Sequence, residues 1–125
     1  DIDFFAILRD EQHSRNWDVY ITSHTDFIGC DTVGSGAFVK FYGRWSAFRD
    51  KRPENYADSV AEALQEIEDT LKQTSCVCGS ESGALAELES FLKTFPETQA
   101  AEDLEDRIEK IKKKTSEIKF ECKPS

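Results

Sequence analysis

The chain has 125 residues, enough for one domain with a single modest core, and its balance of 38% apolar to 33% charged residues is that of a globular protein with a polar surface. A formal net charge of −9 disfavours nucleic acid and anionic membrane as partners, because both repel an acidic chain through their long-range fields. Six glycines and three prolines are too few punctuators for a turn-rich β-sandwich, and no run approaches the roughly 18 consecutive apolar residues that span a bilayer.

Helical periodicity runs through almost the whole chain. Phe4, Ile7 and Leu8 line one side of a short first helix, with Asp1 or Asp3 placed to cap it. Residues 15–30 repeat Trp17, Tyr20, Ile21, His24, Phe27 and Ile28 at helical spacing, which predicts a second helix. Asp31-Thr32-Val33-Gly34-Ser35-Gly36 then reads as a loop. The third helix is the most aromatic, with Phe38, Phe41, Trp45 and Phe48 on one stripe and Pro53 just beyond its end.

A fourth helix over 54–75 aligns Tyr56, Val60, Leu64, Ile67 and Leu71, and its acids (Glu62, Glu66, Glu68, Asp69) are assigned to the opposite face. After the break at Gly79-Ser80-Glu81-Ser82, with Ser82 as the expected N-cap, a fifth helix carries Leu85, Leu88, Phe91, Leu92 and Phe95 up to Pro96. The sixth shows a heptad-like seam of Ala101, Leu104, Ile108, Ile111, Thr115 and Ile118. Acids in its first half and lysines in its second complement the helix macrodipole. The expected fold is therefore all-α: one domain over 1–125, a compact bundle of about five to six helices.

Four cysteines, Cys30, Cys76, Cys78 and Cys122, form an even set in a short chain. That pattern predicts two disulfides and a secreted, extracellular protein. Asp1 in place of Met agrees with a processed mature chain or an excised fragment. A Cys76–Cys78 ring would be strained. Two pairings remain: Cys30–Cys76 with Cys78–Cys122, or Cys30–Cys78 with Cys76–Cys122. Either closes two loops of about 45 residues, contributing roughly 3–4 kcal/mol each in the chain-entropy model. In an up-down bundle the second, fourth and sixth helices end at one pole, and the cysteines, which close those helices, meet there. One residue between Cys76 and Cys78, with no second pair, does not match structural zinc spacing, so no metal is expected.

Catalytic motifs are missing from the sequence. His24 lies on an apolar stripe and His13 in a polar run, and no serine stands in a nucleophile-elbow context. There is no His-Glu-x-x-His, phosphate-cradling loop or dinucleotide fingerprint. The chain is expected to be no enzyme, to carry no cofactor and to act as a monomer that binds a protein.

Two charged surfaces are candidates. Residues 36–53 hold Lys40, Arg44, Arg49, Lys51 and Arg52 against Asp50 alone, whereas 1–35 and 54–75 are each acidic. Lys40 and Arg44 head a basic patch behind the aromatic stripe. Glu102, Asp106 and Glu109 form an acidic row on the sixth helix that would speed encounter with a cationic partner. A small-ligand carrier for an amine or lipid is the alternative, since aromatic bundles can enclose a cavity. An acidic residue on an apolar stripe would favour an amine, and none is evident on the stripes read above.

The segment Gly36-Ala37-Phe38-Val39-Lys40-Phe41-Tyr42-Gly43-Arg44-Trp45, together with the Cys76-x-Cys78 pair, Cys30 and Cys122, resembles the anophensin/albicin family of anopheline mosquito salivary proteins. The resemblance covers the chain from about Trp17 onward and rests on overall plan and cysteine placement. It implies a helical protein secreted in saliva during blood feeding. It further implies an inhibitor, either of the alternative complement pathway at its C3 convertase or of contact activation of coagulation. The partner implied is a host plasma protein, and no inhibitory residue carries over by motif. Collagen-binding antiplatelet proteins of the same saliva are a weaker likeness, because this chain lacks their Gly/Glu-rich segment.

Overall fold

A computed structural model describes residues 2–11, 31 and 33–121 of the chain. The expected second helix, with His24, lies outside them, as do His13, Cys30, Cys122 and Asp1. The described residues are mostly helical, as the periodicity predicts. The helices are α1 (2–11), α2 (Ala37–Lys51), α3 (Ala57–Gln73), α4 (Glu81–Thr94) and α5 (Ala101–Lys112). Two three-residue strands, β1 (Cys76–Cys78) and β2 (Lys119–Glu121), complete the order.

The helices pair as two hairpins, α2 with α3 and α4 with α5, and the hairpins stack α2 on α4 and α3 on α5. Trp45 and Phe48 of α2, Val60, Leu64, Ile67 and Leu71 of α3, Leu88 and Phe91 of α4, and Leu104 and Ile111 of α5 form one buried cluster. Each such side chain stabilises the fold by roughly 1.5–3 kcal/mol through burial. Tyr42, Phe91 and Phe95 interlock across α2 and α4, with ring centroids 4.6–5.1 Å apart. Helix α1 lies antiparallel along α2. Asp3 bonds Arg52, Phe4 packs on Phe48 and Trp45, and Glu11 reaches back to Trp45. Asp3 is therefore a helical residue paired across helices and not the expected cap.

Three sequence expectations about helix ends are corrected. The fourth predicted helix does not run to Ser75 and close on cysteines: α3 stops at Gln73, and Cys76-Val77-Cys78 is a strand. Thr74 turns the chain, its hydroxyl donating to Asp31 Oδ2 at 2.6 Å and to the Cys76 carbonyl at 3.0 Å. The sixth predicted helix ends at Lys112, so Thr115 and Ile118 are not on its seam. Lys114 adopts a left-handed backbone (φ 61°), its N–H bonds the Ile111 carbonyl, and the Thr115 N–H bonds the Lys110 carbonyl. This is a Schellman stop with a lysine where glycine is usual. Third, the cap of α4 is Ser80, whose hydroxyl accepts from the Gly83 N–H at 3.0 Å, and not Ser82.

Beyond the stop, β2 pairs in parallel with β1 in the register Cys76–Lys119, Val77–Phe120 and Cys78–Glu121. On the other side of β1, Asp31 bridges Val77 in parallel, donating to the Cys76 carbonyl at 2.9 Å and accepting from the Cys78 N–H at 2.7 Å. Val77 is buried beneath this small sheet. Cys76 and Cys78 thus stand on a strand and not at the end of the fourth predicted helix.

Candidate functional site

Three carboxylates that sequence reading missed lie inside the bundle: Glu11, Glu68 and Glu87. Each sits on an apolar helical line, as Ala84–Glu87–Leu88–Phe91 illustrates, so the expectation that no acid occupies a stripe is wrong. Glu68 in particular is buried, against the expectation that it faces outward. A buried carboxylate is costly unless its oxygens are satisfied.

Glu87 is the most elaborately held and is only 4% exposed. Its Oε1 accepts from the Gly34 N–H at 2.5 Å and the Gly36 N–H at 3.2 Å, and its Oε2 accepts from the Val39 N–H at 3.2 Å. The residue that caps α2, Gly36, has no side chain to do so and is left-handed (φ 88°). Glu87 of α4 therefore supplies the missing N-cap from a different helix, where a negative charge also complements the macrodipole. The loop reaches α4 only because Gly34 lacks a side chain: a Cβ there would stand 2.9 Å from the Gly83 carbonyl carbon.

Glu68 accepts a short hydrogen bond from the Thr98 hydroxyl, which ties α3 to the α4–α5 turn. Tyr42 belongs to the same cluster. Burial raises its phenol pKa above the usual value, a hydrogen bond with Thr98 opposes the shift, and the nearby Glu68 charge adds to it. Glu11 accepts from the Trp45 indole N–H at 3.3 Å. At the sheet end, Arg107 donates to the Thr74 carbonyl at 2.7 Å, and burial lowers the pKa of its guanidinium. Among the described residues no buried side-chain polar atom lacks a hydrogen-bond partner.

The candidate surface residues are distributed as follows. Lys40 is exposed, with its ammonium 5.4 Å from the Phe41 ring centroid. Arg44 pairs with Asp10 at 2.9 Å, and the arginine beside it holds the Asp10 carboxyl below its usual pKa. Lys40, but not Arg44, lines a cleft of about 610 Å³ together with Arg9, Asp10 and Phe41, among others. In the acidic row, Asp106 pairs with Lys110 at 3.0 Å and Glu109 with Lys113 at 2.5 Å, which leaves Glu102 exposed in the first turn of α5. A second cleft, about 560 Å³, runs along α3 and is lined by Asp31, Glu62, Glu66 and Asp69 among others. None of the three buried carboxylates lines either cleft, so they offer no counter-ion to an amine held there.

Cys76 is disulfide-bonded. Among the described residues no group of three or more His, Cys, Asp or Glu side chains is placed to hold a metal ion, and no helix is long and apolar enough to cross a membrane. Comparison with family models, with curated proteins and with solved structures finds no match for this chain.

Proposed function

We propose that this chain is a secreted inhibitor that acts by stoichiometric binding to a host plasma protein, and that its target is the C3 convertase of the alternative complement pathway. The observation that carries the binding mode is the commitment of Glu11, Glu68 and Glu87 to internal hydrogen bonds. The interior carboxylates build the scaffold, and recognition falls to the outer faces of the helices. The resemblance to anopheline salivary proteins supplies the target.

Two disulfides complete the proposal, and the sheet register favours one pairing. Asp31, the residue after Cys30, stands opposite Val77, the residue after Cys76, which supports a Cys30–Cys76 bridge. Glu121, the residue before Cys122, stands opposite Cys78, which supports a Cys78–Cys122 bridge. Cys76 stands opposite Lys119, three residues before Cys122 in the sequence, which favours Cys78 over Cys76 as the partner of Cys122. The proposed bridges are Cys30–Cys76 and Cys78–Cys122. Mapping without reduction, with the chain cleaved or fragmented between Cys76 and Cys78, must place Cys30 on Cys76 and Cys122 on Cys78, and a Cys76–Cys122 link refutes the assignment.

The functional test is C3b deposition on an alternative-pathway surface beside a classical-pathway control. Selective, saturable loss of deposition near one-to-one stoichiometry is expected. Normal deposition in both pathways at saturating protein refutes the complement target, and a prolonged contact-activated clotting time would then move the target to coagulation.

A further inference from the structure

The exposed large apolar side chains among the described residues are Ile2 (87%), Phe5 (56%) and Tyr56 (41%), and they fall at one end of the molecule. Phe5 and Tyr56 are in edge contact with centroids 6.0 Å apart. Ile2 lies one helical turn from Phe5 on the same face of α1. Tyr56 stacks on the buried Phe4 ring at 4.2 Å with an interplanar angle of 14°. It does so from a left-handed backbone (φ 54°, ψ 34°), a conformation that costs a bulky residue of the order of 1–2 kcal/mol. A ring fixed before contact loses little entropy on binding, which is the property of an interface anchor.

The same face of α1 continues through Arg9, about 10 Å from Ile2 along the helix, to the cleft shared with Lys40. Helices α1 and α2 with Arg52 carry six cations and four carboxylates among residues 2–11 and 37–52, a local excess of two positive charges on a chain of net −9. The aromatic end is acidic instead: Asp3 pairs with Arg52, and Glu54 and Asp58 flank Tyr56 in the chain with no basic residue between them. Polarity therefore changes along the face, from apolar at Phe5 and Tyr56 to cationic at Lys40 and at Arg9, whose exposed guanidinium also lies 3.6 Å from Asp10. The exposed apolar area is about 350 Å², taking roughly 200 Å² per large side chain. That is under half of the roughly 800 Å² each copy contributes to a stable dimer, so self-association is not its use.

We propose that the outer face of α1, with Tyr56 and Lys40, is a docking surface for another protein that presents an apolar side chain to Phe5 and Tyr56 and a carboxylate to Arg9 and Lys40. This deepens the inhibitor reading and rests on it only for the identity of the partner.

The test titrates isotope-labelled protein with a capped peptide in which a Leu-Phe pair lies between pairs of acids, and with its counterpart carrying lysines for the acids. The acidic peptide is expected to shift the amides of Phe5, Arg9, Lys40 and Tyr56 saturably. Its affinity should fall at least tenfold in Phe5→Ser and in Arg9→Glu/Lys40→Glu, and the lysine peptide should bind at least tenfold more weakly. Ile2→Ser, at a fully solvated position, is the variant that carries no folding risk and should weaken binding severalfold. Shifts elsewhere, no shifts, or equal response to both peptides overturn the surface. The same variants in the C3b assay separate the two readings. An inactive parent that still binds the acidic peptide refutes the complement target and leaves the surface standing. Full inhibition by Phe5→Ser and Arg9→Glu/Lys40→Glu would overturn the surface as the inhibitory face and leave the complement target standing.

Discussion

Replacing Glu87 tests whether one interior carboxylate organises the junction of α2 and α4. Its two oxygens take three backbone N–H donors, from Gly34, Gly36 and Val39, at 2.5–3.2 Å. Glutamine keeps one acceptor oxygen but turns an NH₂ group toward at least one of those donors. Losing a hydrogen bond to a charged group costs about 1.5–3 kcal/mol, and removing a charge from a helix N-terminus adds roughly 0.3–1 kcal/mol. Glu87→Gln is therefore expected to lose about 2–4 kcal/mol, a large share of the roughly 5–15 kcal/mol that holds a domain folded. Urea unfolding followed by circular dichroism measures this, with a lower midpoint and an unchanged slope expected. Glu87→Leu is the informative companion. A buried charge that merely tolerates its site can be replaced by a hydrocarbon at no loss. Here the partners are backbone groups that stay behind unsatisfied, so leucine should cost at least as much as glutamine. A leucine variant as stable as the parent would refute the capping role.

Other expectations concern single groups. Lys114→Gly relieves a left-handed lysine at the end of α5 and should raise stability by up to about 1 kcal/mol, because its exposed pair with Glu81 contributes little; a net loss in urea unfolding would contradict the Schellman stop. The Asp10 carboxyl, held below 3.8 chiefly by its hydrogen bond with Arg44, contributes stability above its unfolded pKa that is lost as pH falls through the folded one. Carbon-detected titration should show the lowered midpoint and its return toward 3.8 in Arg44→Gln. Tyr42, raised above 10.0 by burial, stabilises the fold fully below its unfolded pKa, and that contribution fades as pH climbs through the folded value. Tyr42→Phe should remove the late step in an ultraviolet tyrosinate titration.

The helices were legible because their apolar positions recur at three and four residues. Phe38, Phe41, Trp45 and Phe48 are all buried as their spacing predicts, and Pro53 follows the end of α2 closely. Helix ends were less legible for local reasons. The stop after α5 uses Lys114 where a glycine would have signalled it, and Ile118 fell on the extrapolated seam by coincidence of spacing. The sheet escaped notice because each strand has three residues, too short for alternation to register, and is specified by partners far along the chain.

The buried glutamates expose a rule that periodicity alone applies wrongly. Charge assigns a residue such as Glu68 to the outside by default. Position should have had priority: Glu68 is four residues after Leu64 and three before Leu71, and Glu11 is three after Leu8 and four after Ile7. An acid at such a position can be buried only where donors await it, and a nearby segment short of capping groups provides them. Gly34-Ser35-Gly36 ahead of an aromatic helix is such a segment, since neither glycine can cap with a side chain. The pairing of an uncapped helix start with a stripe carboxylate elsewhere in the chain is thus the sequence signal for Glu87. It also explains why Lys40 and Arg44 stand where they do. With Glu87 fixing the start of α2, the basic side of that helix is turned to α1, where Arg44 pairs with Asp10, and to the cleft, where the charge of Lys40 is left for whatever binds there.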